Sequence, residues 1–182
     1  NLTEIYLELI KEEQSHKQFK NFSKNLKDQQ DNAQPKILWL GNNEFKPSGA
    51  EVLNCKEDEI FTHNTVGGLI NNLDFSLNAS LDYGLNHLAI KEIVVAQFYP
   101  SNLLGQLLTE DSPKDYIHDW LEQIRLSHHR YLQNSGKDND LYYFTKHLLD
   151  EQCETLKNLP VVKKYQFKHG DMLDIYALVI DV

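Results

Sequence analysis

Thiols, methionine and positive charge are all scarce in this 182-residue chain. Two cysteines, Cys55 and Cys153, and one methionine are too few for a disulfide framework or a four-cysteine zinc module. Both thiols are therefore expected to pack in the interior of a protein kept in a reducing compartment. Lys and Arg number 18 against 27 Asp and Glu, for a formal charge of -9. That balance excludes a surface built for phosphate backbones or anionic lipid. Lys17, Lys20, Lys24 and Lys27 read as the solvated face of a helix, not as a nucleic-acid patch. No apolar run approaches the ~20 residues needed to cross a bilayer, and no signal-peptide pattern precedes the first helix. Neither a nucleic-acid partner nor membrane insertion is expected. The chain opens at Asn1, as a processed product or a fragment would. The expected location is intracellular, either cytoplasmic or mitochondrial after presequence removal.

What is present is ordinary globular material, 41% hydrophobic and 10% aromatic, at a length that suits one substantial core. Leu2, Ile5, Leu9 and Ile10, continued by Phe19 and Phe22, predict a helix over residues 2–30. Its apolar stripe is narrow, so such a helix needs a surface to dock on. Asp31 to Pro35 ends it, giving an N-terminal helical arm over 1–35 and a main domain over 36–182.

In the main domain four short apolar runs predict buried strands: Lys36 to Gly41, Glu59 to His63, Glu92 to Phe98 and Leu173 to Ile180. Helical spacing predicts Asp74 to Leu88, Pro113 to Gln133 and Leu141 to Asn158, with Gly136 to Asp140 as a loop. Strands separated by helices imply crossovers, hence an α/β fold with a central, mostly parallel four-stranded sheet flanked by helices. Sites in such sheets lie beyond the carboxyl ends of the strands. Here those ends are Gly41 to Lys46, His63 to Gly68 and Phe98 to Ser101.

These three segments resemble the motifs of β-class carbonic anhydrases, the fungal type most closely. The family's Gly-Cys-x-Asp-x-Arg is matched by Gly41-Asn42-Asn43-Glu44-Phe45-Lys46. Its Phe-x-x-x-Asn-x-Ala-Asn is matched in relaxed form by Phe61 to Gly68. Its Ile-Val-Val-Cys-Gly-His-x-x-Cys-Gly is matched by Ile93 to Ser101. The likeness continues through Ser76 to His87, Tyr116 to Tyr131, Leu148 to Val162 with Gln152 and Pro160, and Gly170 to Val182.

The resemblance implies a β-carbonic-anhydrase-like fold and places the family's three zinc ligands on Asn42, Phe98 and Ser101. Zinc in such a site is held by two thiolates and one imidazole, with a fourth position left for water. Asn42 offers a neutral amide, Ser101 a hydroxyl and Phe98 no lone pair, so no metal and no cofactor is expected. The family's Asp/Arg dyad is represented by Glu44 and Lys46, which are expected to form an ion pair, with a residual anion or bicarbonate site as the alternative. The resemblance also implies an intimate dimer embraced by the N-terminal helices. The expected protein is a non-catalytic relative with a structural, assembly or regulatory role, as a homodimer, a heteromer with a paralogue, or part of a larger assembly. The alternative is metal-independent chemistry in the old pocket.

Other constellations are weaker. His128 and His129 are adjacent in a helix and cannot share a face. Ser101, His63 and Glu44 could be drawn as a triad, but no Gly-x-Ser-x-Gly turn is present. Gly67-Gly68 reads as a tight turn and lacks the fuller phosphate-binding pattern. Trp120 and Tyr142-Tyr143-Phe144 read as core or interface anchors.

Overall fold

The computed structural model describes residues 35–107, 116–135, 140–170 and 172–181. The helix expected over 2–30, with the arm it defines, lies outside them. Strands β1 (Ile37–Asn42), β2 (Ile60–Thr65), β3 (Glu92–Tyr99) and β4 (Asp174–Asp181) form one sheet in the order β2-β1-β3-β4. Every neighbouring pair is parallel. The expected sheet is therefore found, each strand ending one or two residues beyond its apolar run.

Parallel neighbours cannot be joined by a two-residue hairpin, so helical crossovers fill each step. Helix α1 (Gly49–Leu53) links β1 to β2, and α2 (Phe75–Asp82), extended by a π turn over Tyr83–His87, links β2 to β3. Four helices lie between β3 and β4: α3 (Asn102–Leu107), α4 (Tyr116–Ser135), α5 (Leu141–Asn158) and α6 (Pro160–His169).

Central strand β3 is covered on both faces, which is why its sequence is apolar without alternation. On one face Ile93 and Val95 join Leu38 and Leu40 of β1 beneath Leu77 and Leu81 of α2 and Leu149 and Leu156 of α5. On the other, Val94, Ala96 and Phe98 pack with Trp39, Ala50 and Ile60. A third cluster, including Leu104, Leu121, Ile124 and Phe144, ties α3, α4 and α5 together. Edge strand β4 is more exposed, with Tyr176 half in solvent.

Three short helices were not expected, because too few residues repeat for a period to show. Local capping holds the first: Ser48 Oγ accepts from the Glu51 N–H at 3.2 Å, and the Glu51 carboxylate accepts from the Ser48 N–H at 2.8 Å. Helix α6 starts on Pro160, whose missing N–H would be unbonded there in any case. Of the expected anchors, Phe144 is core while Tyr143 is half exposed, and the Trp120 indole N–H donates to the Val66 carbonyl at 3.1 Å. His128 meets Phe144 edge to face, whereas His129 is exposed beside Gln133. Both cysteines are free, and burial leads in pushing both thiols up, which favours the unreactive protonated form.

Candidate functional site

Beyond the carboxyl end of β1 the described residues pack closely. Parallel pairing sets Gly41 beside Asn64 and Asn42 beside Thr65. A Cβ on Gly41 would sit 2.4 Å from Trp39 Nε1 and 2.9 Å from Asn64 Oδ1, so only glycine fits this close approach. Asn42, next in line, is buried, and its Nδ2 donates to Gln97 Oε1 at 3.3 Å. Its Oδ1 is buried without a donor.

Gln97 is fully buried and donates through Nε2 to the Gly67 carbonyl at 3.1 Å. The Gly67 N–H donates to Glu44 Oε1 at 2.5 Å. The two peptide groups flanking the Gly67 Cα are thus each held, one by an exposed carboxylate and the other by a buried amide. The expected Glu44–Lys46 ion pair is corrected here. Glu44 turns to the Gly67 backbone, and Lys46 is exposed and makes no ion pair with a described residue.

Phe98 is 1% exposed, and its ring stacks on Phe45 with centroids 4.3 Å apart and planes 14° apart. Ser101 is buried, and its Oγ accepts from the Leu104 N–H at 3.2 Å, capping α3. The imagined triad is not assembled: His63 Nδ1 meets Ser80 Oγ at 3.0 Å, and Ser101 serves Leu104. His63 lines a separate opening of about 560 Å³ with Asp74 and Trp120. Burial pushes its imidazole below the usual range, with Asp74 pulling the other way.

Zinc requires donors with free lone pairs in a tetrahedral set. The residues at the three corresponding positions do not fit it. Asn42 offers only the oxygen of a neutral amide whose Nδ2 is bonded to Gln97, the Ser101 hydroxyl caps a helix, and Phe98 has nothing to donate. Among the described residues no group of three or more His, Cys, Asp or Glu could hold a metal ion.

Gln97, Phe45 and the Gly67 peptide are the structural residues that sequence reasoning passed over. Gln97 did carry a signal, being a lone amide inside a buried apolar strand, where a polar side chain must find partners.

Sheet order, crossovers and the position of this site define a β-carbonic anhydrase fold. The β-carbonic anhydrase CafA of Aspergillus fumigatus superposes with a TM-score of 0.74 at 20% identity, over 93% of this chain and 86% of that one. A structure of the tetrameric β-carbonic anhydrases of Sordaria macrospora gives 0.77 at 15% identity, over 100% and 93%. A carbonic anhydrase of Emericella nidulans is 27% identical over 93 residues, which are 50% of this chain and 40% of that relative's length. The profile of the carbonic anhydrase family matches residues 47–182, and the chain belongs to that family. The match begins just after Asn42, Glu44 and Lys46.

Proposed function

We propose that this chain is a non-catalytic member of the carbonic anhydrase family, serving as a structural, assembly or regulatory subunit that pairs with itself or with an active paralogue. The observation that carries this reading is the Phe45–Phe98 stack, buried where the family resemblance puts an imidazole ligand. An aromatic ring in that volume supports the sheet and excludes both ion and water. The helix-capping role of Ser101 and the Asn42–Gln97 bond support it further, since each gives a former ligand position a packing task.

Self-assembly is supported by the tetrameric Sordaria macrospora relatives that share the fold. The rival reading, an anion or bicarbonate site at Glu44, Lys46 and Ser101, is not favoured. The Glu44 carboxylate already occupies the Gly67 N–H, and Ser101 is buried.

Elemental analysis of the purified full chain, with a CO2 hydration assay, tests the catalytic half. Zinc well below one ion per chain and hydration at the uncatalysed rate are expected. Stoichiometric zinc with hydration activity would overturn it. Native mass spectrometry after pull-down tests the other half: a dimer or larger complex is expected, and a monomer without partner defeats the assembly role.

A further inference from the structure

At the opposite end of the sheet, where β3 and β4 begin, a second cavity of about 490 Å³ opens between the π turn after α2 and the end of α6. Its floor is apolar, with Leu85 and Tyr165 both buried. Its rim is basic: Lys91, Lys164, Lys168 and His169 all line it.

Among the described residues no ion pair offsets the positive charge there. None of the three lysines forms an ion pair with a described residue. Asp82 is the one carboxylate among the described lining residues, and its Oδ1 already accepts from Asn86 Nδ2 at 2.8 Å. The His169 ring rests on Tyr165, centroids 4.6 Å apart. A basic cavity on a chain of net charge -9 runs against the bulk composition.

Helix dipole complementation accounts for Lys168 and His169, in the last turn of α6. It does not account for Lys164 in the helix middle, nor for Lys91, which comes from another element. The turn leading to Lys91 passes through Ala89 at φ 56°, a conformation that residues bearing a Cβ avoid. The Lys91 carbonyl is then fixed by the Asp174 N–H at 2.8 Å.

We propose that this cavity binds a small organic anion, a phosphate or carboxylate carried on an apolar body. Leu85 and Tyr165 receive the apolar part, and Lys91, Lys164 and Lys168 receive the charge. The volume suits such a ligand, since small-molecule pockets run about 300–1,000 Å³ with an apolar lining and a few convergent polar groups.

Calorimetric titration of the full chain with 1-naphthyl phosphate and with 1-naphthoate tests this and separates the two anion classes. Saturable binding of at least one probe at one site per chain is expected, weakening as salt is raised. The neutral 1-naphthol should bind at least about tenfold more weakly. Each exposed lysine contributes up to about fivefold, so Lys164→Gln with Lys168→Gln should weaken binding about tenfold. Lys163→Gln removes one positive charge from the same helix outside the cavity and should leave binding unchanged. The substituted side chains are exposed, and an unaltered urea midpoint confirms that the fold is kept. Absence of saturable binding by both probes, or equal effects of the Lys163 and the Lys164/Lys168 substitutions, overturns the proposal.

Discussion

Where the family resemblance aligns an imidazole, Phe98 presents a phenyl ring, which has no lone pair and more apolar surface. Phe98 is sealed among Val94, Ala96 and Trp39 and stacked on Phe45. Removing so large a buried ring leaves a cavity, so Phe98→Ala should cost about 3–5 kcal/mol in urea unfolding. A loss under about 1 kcal/mol would mean that the ring fills the site only loosely. Asn42, Phe98 and Ser101 were singled out by motif order alone, as the positions the resemblance aligns with metal ligands. Their companions were not, because a stacking partner such as Phe45 or an amide partner such as Gln97 is chosen by tertiary packing.

His63 gives the same scale a pH signature. Burial disfavours its charged form, so its folded-state pKa lies below the unfolded value of about 6.5, Asp74 offsetting this in part. Between those two values the unfolded chain holds more protons, and stability falls as pH drops through that window. Above it the group has no effect. The fall in urea midpoint from about pH 7.5 to about pH 5.5 should be shallower in His63→Asn than in the parent. Equal falls would remove His63 as the source.

Secondary structure repeats this division between legible and hidden. Long elements announced themselves: strands as short apolar runs, of which β1 and β3 are buried and β2 and β4 partly exposed, and α5 as a helical period that matched Leu141–Asn158 at both ends. Helices α1, α3 and α6 are five, six and ten residues long and depend on caps and packing more than on period. The turn after β2 is a case where conformation and packing coincide. Gly67 adopts φ 72°, and a Cβ there would lie 2.8 Å from Leu121 Cδ2. Left-handed backbone alone costs a residue with a Cβ about 1–2 kcal/mol. Gly67→Ala should therefore destabilise by at least about that amount in denaturant unfolding. It should also disturb the two peptide groups of Gly67 that Glu44 and Gln97 hold. A neutral result would show that this turn can relax without affecting the site.

For the molecule as a whole, the question is whether the zinc loss proposed above would follow from drifted geometry or from three changed side chains. The retained parts favour the second. The fold superposes on the β-carbonic anhydrase CafA with a TM-score of 0.74, Gly41 closely approaches Trp39 and Asn64, and Asn42 sits within hydrogen-bonding reach of β3. If only the donors are missing, Asn42→Cys, Phe98→His and Ser101→Cys made together supply the two thiolates and one imidazole that tetrahedral zinc prefers. Phe98→His alone adds an unpartnered polar ring to an apolar pocket and should bind nothing. The triple variant, refolded with zinc and dialysed, should retain about one ion per chain and gain stability over its metal-free form, because metal binding to the native site alone is coupled to folding. Elemental analysis and paired unfolding curves read both effects. A triple variant that folds, by its unfolding transition, yet retains no zinc would show that the strand ends no longer converge. The loss would then lie in the backbone and not in the three side chains.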